Sequence, residues 1–307
     1  MTITAEMIKA IREKTGAGMS DCKKALVESE ENFDAAVDWL RKKGLAAAAS
    51  KSSRVAADGL VGVASTNDGQ TAAVVEVNAE TDFVAKNQKF QDFVAKTTAA
   101  SAKNAGISLE ALLIADLGGR TVQESLTDLV AVIGENMVVR RVATLFVKNG
   151  VVATYAHSTV APGMGKIGVL VALESDGDKA AIAEFGKRLA MHIAASHPKY
   201  LNIADVPEAV LQHEKEILLE QIKELDRPAA VLEKMVEGRV RKFYEDVVLN
   251  EQAYIMDNKK NVAAAVSEFA KEIGTPVTLS AFVRFALGDG IEKASANFAQ
   301  EVNMLLT

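Results

Sequence analysis

Several residue types and patterns with well-known chemistry are scarce in this chain of 307 residues. It has one cysteine, Cys22, which excludes an internal disulfide and a cysteine cage for zinc. No apolar run approaches the ~20 residues that a membrane-spanning helix needs. The N-terminus has neither the basic and apolar regions of a signal peptide nor the Arg-rich composition of a mitochondrial leader. The expected setting is therefore a reducing cytoplasm, without a membrane partner.

A net positive charge and recognisable catalytic motifs are lacking as well. The formal net charge is −6, which argues against non-specific binding of nucleic acid by a basic surface. Residues 163–166, Gly-Met-Gly-Lys, superficially resemble a phosphate-binding loop, but Ile167 stands where Ser or Thr would hold magnesium. His192, His197 and His213 lack the His-Glu-x-x-His pattern of a zinc site. We therefore predict no catalytic residue, no metal and no cofactor.

The N-terminal residues have the pattern of a small helical bundle. Thr4, Ser20 and Asn32 can each cap a helix, because their side chains accept hydrogen bonds from free N–H groups of the first turn. The third helix starts at Phe33, and Gly44 is the expected residue just past its end. The stretch after Gly44 is rich in Ala, Ser and Lys and is typical of a linker that can be partly helical. Residues 1–54 are therefore predicted to form a three-helix bundle and linker.

One theme occurs twice between residues 60 and 287. In each half, two strands are followed by a helix and, later in the chain, by a third strand. This order predicts an α+β fold with two related subdomains and antiparallel sheets, over residues 55–148 and 149–291. The predicted elements are strands 60–65, 72–77 and 136–147 with a helix from Thr81, then strands 151–157, 167–173 and 277–287 with a helix after Asp178.

Two amphipathic segments lie within the second half. Residues 207–249 contain apolar stripes on both sides of a turn at 226–228, which predicts an antiparallel coiled-coil hairpin that projects from the subdomain. The two stripes either bury each other alone, or a flank of the hairpin also contacts a partner or a second copy. Residues 292–307 form a further amphipathic segment, with Phe298, Val302 and Leu305 on one face, and are predicted to be a C-terminal helical module.

The stretch from Ala73 to Asn87 contains the most informative segment. Valines predict a strand, after which Thr81 suits a helix N-cap and Asp82 suits a first turn, where the helix dipole favours negative charge. Phe83 has two interpretations. Phe83, Phe90 and Val94 follow a helical spacing typical of core residues, and spacing alone favours this role. An aromatic ring at a helix tip beside an acid can instead be a wedge offered to a partner.

Several segments resemble one protein family. Thr81-Asp-Phe-Val-Ala85 resembles the signature of the elongation factor Ts family, the guanine-nucleotide exchange factors of elongation factor Tu. Residues 15–26 are similar to a second signature, from a domain resembling ubiquitin-associated (UBA-like) modules, although Ser20 stands where family members often carry Met. Further similar segments are Ile133–Asn136, Glu233–Arg239 and Tyr254–Asp257.

The resemblance implies a function without covalent chemistry. The protein would bind elongation factor Tu in its GDP-bound and nucleotide-free states, insert a helix tip near the magnesium and phosphates, and release GDP; a homodimer within a 2:2 complex is a further expectation. The loop of residues 158–165 is longer than the family's link after His157. The implied contacts are Thr81, Asp82, Phe83 and Val84 as the exchange wedge, with Lys23, Ile133, Gly134, His157, Ile255 and Met256 elsewhere.

Two other functional classes compete with nucleotide exchange. A passive adaptor would recognise peptides through its bundle, dimerise through its hairpin, and bind without faster nucleotide release. A hydrolase or transferase would need a compact polar pocket with titratable groups, and the sequence has no motif that indicates one.

Overall fold

The computed structural model describes residues 3–222 and 229–292. In this part of the chain, an N-terminal helical bundle precedes two antiparallel sheets with associated helices, which confirms the predicted α+β class. The predicted turn at 226–228 and the C-terminal helix with Phe298, Val302 and Leu305 lie outside the described residues. Among the helices described, none is long and apolar enough to cross a membrane.

The bundle begins as the sequence predicts and differs in two details. Thr4 and Asn32 cap its first and third helices through bonds to the backbone of Met7 and Ala35. The prediction for Ser20 is wrong, because the second helix starts two residues earlier, at Met19, and its N-cap is Gly18. The helices are α1 (Ala5–Thr15), α2 (Met19–Glu28) and α3 (Phe33–Lys51).

The first repeat forms a sheet backed by helices. Its second strand is central and pairs antiparallel with the first and third strands. The pairing of the second strand with the third shifts register between Glu76 and Val77 of the second strand, which marks a β-bulge. The elements are β1 (Asp58–Ser65), β2 (Thr71–Ala79), α4 (Gln88–Ala102), α5 (Leu109–Leu113), α6 (Val122–Ile133) and β3 (Met137–Phe146).

The second repeat has the same topology, which confirms the predicted duplication. Its central strand also pairs antiparallel on both sides, and its pairing with the last strand shifts register at the corresponding place, between Ala172 and Leu173 of the central strand. Asp178 caps the long helix as predicted. The elements are β4 (Gly150–His157), β5 (Met164–Gly165), β6 (Ile167–Glu174), α7 (Lys179–Ser196), α8 (Glu208–Ile222), α9 (Ala229–Val247), α10 (Val262–Glu272) and β7 (Thr278–Ala286).

Gly44 lies inside α3, so its predicted role as the residue after the helix is wrong. The helix continues to Lys51, and Gly44 is buried where α3 crosses α6. A methyl group at Gly44 would lie only 3.2 Å from Cβ of Ala131 in α6. The missing side chain therefore allows the two helices to approach closely, and this contact joins the bundle to the first repeat.

The long loop after His157 returns to the first sheet. Its short strand β5 pairs with β1, which gives that sheet the order β3-β2-β1-β5. Gly163 accepts a backbone hydrogen bond from Val63 at 2.8 Å. A side chain at Gly165 would start 2.3 Å from the carbonyl oxygen of His157. The glycines of the apparent phosphate loop therefore serve a close crossing of backbone segments.

The two sheets pack against each other, with helices on their outer faces. Val61 and Val74 of the first sheet share a core with Val152 and Leu170 of the second. A second core lies between the first sheet and α4–α6, and a third lies between the second sheet and α7 and α10. The order of layers is therefore helix, sheet, sheet, helix.

Helices α8 and α9 pack on each other, as predicted for the hairpin. Leu218 of the predicted stripe is buried, but Val210, Ile217 and Val231 are each about two-fifths exposed. Part of the apolar surface on the hairpin therefore remains available after the two helices have packed.

Candidate partner-binding site

Phe83 is the most exposed large apolar side chain among the described residues, with 75% of its surface accessible. It lies in the connection between β2 and α4. The spacing-based prediction that Phe83 belongs to the core is wrong, whereas Phe90 and Val94 of the same stripe are buried. Burial of this exposed ring against another molecule would be favourable, because it would remove apolar surface from water.

The helix does not start at Thr81 as predicted. Asn87 is the N-cap of α4, and its side chain accepts a hydrogen bond from the backbone of Lys89 at 3.0 Å. Between Phe83 and Asn87 the chain makes a single 3₁₀ turn, and Asn87 itself is extended. This break in helical phase explains why Phe83 points away from the face that carries Phe90.

The residues directly after Phe83 anchor the connection. Val84 and Ala85 are buried in the core of the first repeat, with 3% and 6% exposed. The side chain of Gln91 donates a hydrogen bond to the carbonyl oxygen of Ala85 at 2.9 Å. Val84, which the resemblance groups with the wedge, therefore holds the connection from beneath, while Asp82 and Phe83 are presented to solvent.

Thr81 is held by a carboxylate from the turn between α6 and β3. Its backbone N–H donates to Glu135 at 2.9 Å, and its hydroxyl donates to the other oxygen of the same carboxylate at 2.8 Å. This bidentate contact engages the side chain that was predicted to cap a helix. Sequence reasoning missed Glu135, because the two residues are 54 positions apart and the local pattern gives no signal of the contact.

The same contact brings Ile133 and Gly134 to the candidate site. Gly134 ends α6 with a positive φ of 88°, and its N–H bonds to Val130. This left-handed residue turns the chain so that Glu135 meets Thr81. Ile133 is half-buried against the core of the first repeat, and Gly134 is exposed.

The other predicted contacts lie on separate elements. Lys23 is exposed on α2, and His157 is exposed at the end of β4, where its Nδ1 lies 3.0 Å from the hydroxyl of Tyr155. Ile255 and Met256 are about half exposed in the segment between α9 and α10. The structure thus brings Thr81–Val84 and residues 133–134 together, and distributes the remaining candidates over the bundle and the second repeat.

A buried histidine supports the segment of Ile255 and Met256. His192 is fully buried in α7, and its Nδ1 accepts a hydrogen bond from the backbone of Ile255 at 3.2 Å. Its Nε2 lies 2.9 Å from Oε1 of Gln252, so Nε2 carries the proton and donates it. Burial lowers the pKa of His192, which favours this neutral form. His192 is therefore a packed helix residue, and its link to Ile255 had no local signal in the sequence.

The exposed side chains of the site are an aromatic ring and a carboxylate. An aromatic ring and an adjacent carboxylate protrude from a rigidly supported turn. Within residues 3–222 and 229–292, no group of three or more His, Cys, Asp or Glu side chains could hold a metal ion. The arrangement can place one apolar and one negative group against a partner surface.

Comparison with known proteins identifies the family. The family model described as Elongation factor TS matches residues 80–289. A protein named Elongation factor Ts from Rhodospirillum centenum is 56% identical, with 98% of this chain and 97% of the relative aligned. Proteins of the same name from Paramagnetospirillum magneticum and Rhodospirillum rubrum are 53% and 52% identical over 98% of this chain and 96% and 97% of theirs. The chain therefore belongs to the elongation factor Ts family.

Proposed function

We propose that this protein binds elongation factor Tu·GDP and promotes the release of GDP and its exchange for GTP. Membership of the family supports the partner, because nucleotide exchange on elongation factor Tu is the family's known role. The observation that carries the proposal is the 75% exposure of Phe83 beside the exposed Asp82, on a connection anchored by Val84. Phe83 acts as a wedge, and Asp82 perturbs the magnesium and phosphate surroundings of the nucleotide.

The energetics require more than one contact. A rate increase of ~10⁴ needs ~5.5 kcal/mol less barrier to GDP release. Burying one Phe side chain contributes about 1.5–3 kcal/mol. Phe83 therefore accounts for part of the effect, and Asp82 supplies a further part, since a carboxylate oxygen is a ligand that magnesium accepts.

Exchange follows from preferential binding of the nucleotide-free state. Linkage makes the coupling reciprocal: the factor by which the exchange protein weakens GDP binding is the factor by which GDP weakens binding of the exchange protein. The protein therefore stabilises the empty partner until GTP enters. No covalent step is involved, and the expected setting is the cytoplasm.

The remaining candidates supply binding energy around this centre. The bundle of residues 1–54 docks through Lys23 on the G domain of the partner, and the core subdomains, 55–148 and 149–291, bind through Ile133–Gly134 and through His157 with Ile255 and Met256. The exposed apolar side chains on the 207–249 hairpin support a contact there, including dimerisation within a 2:2 complex. The segment 292–307 adds a further partner contact.

The test is the release of a fluorescent GDP analogue from elongation factor Tu. The wild-type protein is expected to accelerate release, and Phe83→Ala to lower the acceleration about tenfold or more, equivalent to ~1.4 kcal/mol. Ile114→Ala is the matched control, because Ile114 is equally exposed at 74% but lies outside the proposed contact surface.

Each outcome separates one interpretation from the others. Undiminished release with a folded Phe83→Ala protein would retain the exchange function and refute the wedge. An equal loss with Ile114→Ala would show that exposed apolar surface in general, and not Phe83, is responsible. Formation of a complex without faster release by the wild type would refute exchange and favour a passive adaptor.

A further inference from the structure

Two carboxylates join the ends of β2 and β3 beyond the last backbone pair. The ladder between these strands ends at Ala79 and Met137. At the next position the backbone N–H of Asn136 donates to the carboxylate of Glu80, and one step further Thr81 donates to Glu135 twice, from its N–H and its hydroxyl. Each strand end therefore offers a side-chain acceptor to the backbone of the other.

This exchange of carboxylates continues the sheet where the backbone pairing stops. Hydrogen bonds to an ionised acceptor are about twice as strong as neutral ones. The side chain of Asn136 donates to the carbonyl oxygen of Arg54 at 2.7 Å, and the guanidinium of Arg54 lies 3.6 Å from Glu80. The arginine partly offsets the charge of Glu80. We call Glu80, Thr81, Glu135 and Asn136 the carboxylate clamp.

The clamp lies between the two candidate contact segments of the first repeat. Phe83 follows Thr81 by two residues, and Gly134 directly precedes Glu135. Because 75% of the Phe83 surface is accessible, packing of its ring within the protein cannot fix its position. The orientation of the ring is therefore set by its backbone, held by the clamp on one side and by buried Val84 on the other.

We propose that Glu80 and Glu135 are positioning residues for nucleotide exchange. They hold the Phe83 connection and the Ile133–Gly134 turn in one rigid arrangement before the partner is met. The inference rests on the exchange function proposed above. A preorganised contact reaches the state of GDP release without the loss of conformational freedom that a loosely held loop would undergo.

Glu135→Gln is the most direct test. The amide has nearly the same shape but only one acceptor oxygen, so its NH₂ group replaces the acceptor of one of the two Thr81 donors. The maximal rate of GDP release is expected to fall about tenfold, with less change in the half-saturating concentration, because Phe83 acts on the release step. Thr81→Val removes one of the two bonds and is expected to cause a smaller loss in the same direction.

Glu124→Gln is the matched control. Glu124 also accepts a backbone hydrogen bond, from Thr121 at 3.1 Å in the capping box of α6, but it lies outside the clamp. The control is expected to affect the unfolding temperature without slowing exchange more than about twofold.

The Phe83→Ala background separates positioning from a general structural effect. If Glu135 acts through Phe83, Glu135→Gln causes little further loss once Phe83 is removed, so the two effects are not additive. A full additional loss in that background would overturn the inference, as would a folded Glu135→Gln protein with wild-type exchange. If Glu135→Gln does not fold, unchanged exchange by Thr81→Val would overturn it. Absence of acceleration by the wild type would instead refute the proposed function itself.

Discussion

Replacing Glu76 with alanine is expected to destabilise the fold strongly, because this buried carboxylate joins both repeats. Its side chain is fully buried in β2 and accepts hydrogen bonds from Arg140 at 3.0 Å and from Arg141. It also accepts from the side chain of Asn78 at 3.0 Å and from the backbone of Gly288, just after β7, at 2.8 Å. Glu76→Ala therefore leaves four donor groups without this acceptor.

The β-bulge explains why consecutive arginines reach one acid. In a regular strand the side chains of Arg140 and Arg141 would point to opposite faces. The register shift places Arg141 opposite Glu76 and Val139 opposite Val77, so Arg140 is the extra residue. A bulge re-aims side chains in this way.

The size of the expected loss follows from the burial of the Glu76 carboxylate and its two arginine partners. Removing one partner of a buried ion pair costs about 3–5 kcal/mol, since the other charge is left without compensation. The arginine side chains are 27% and 30% exposed, so they recover part of their hydration. We therefore expect the lower end of the range, about 3 kcal/mol, or roughly 1 M in the urea midpoint at a slope near 3 kcal/mol/M.

Urea unfolding followed by far-UV circular dichroism measures this loss. Glu174→Ala is the control, because Glu174 also lies on a strand but is exposed, and a change within about 0.5 kcal/mol is expected there. Faster hydrogen exchange at Gly288 is a local sign of the lost acceptor. A loss below about 1 kcal/mol for Glu76→Ala would refute the assignment of this carboxylate as a junction between the repeats.

Three further predictions concern separate parts of the fold. Because burial lowers the pKa of His192, only the unfolded chain gains a proton there just below about pH 6.5. The free energy of unfolding should therefore decrease as the pH is lowered towards the folded pKa. The decrease between about pH 7.5 and pH 5.5, measured from urea midpoints, should be smaller in His192→Gln than in the wild type. Gly168→Ala should lower stability by about 1–3 kcal/mol, because its methyl group would lie within 3.0 Å of valines on the facing sheet. Gly238→Ala in α9 meets open space and should raise stability by up to about 1 kcal/mol. Equal shifts of the unfolding temperature for both variants would contradict the packing argument. Burial raises the pKa of the Cys22 thiol, so a thiol reagent should label the native protein much more slowly than the urea-unfolded one, and equal rates would be inconsistent with a closed bundle core.

Features that depend on neighbouring residues could be predicted from the sequence. Thr4, Asn32 and Asp178 each cap the helix that was expected of them, because a cap bonds to N–H groups only two or three residues away. The alternation and spacing of apolar residues likewise indicated the strands and the duplicated order of elements. The contact residues implied by the family resemblance remain predictions, although the exposure of Phe83 agrees with its proposed role.

Features that depend on distant residues were decided by the tertiary structure. Thr81 has the chemistry of a helix cap, but Glu135, from the turn before β3, binds it, and the helix starts after Asn87. Gly44 is a residue type that often ends a helix, but α3 continues past it because Gly44 packs against α6. In both cases a local preference of about 1 kcal/mol was outweighed by packing or hydrogen bonds to residues far along the chain. The amino-acid sequence alone determined the kinds and order of the predicted strands and helices, because these follow from short-range periodicity, whereas β5 and α10 were not predicted. Only the folded arrangement decided which side chains were buried, paired or left exposed, because those outcomes depend on which distant residues become neighbours.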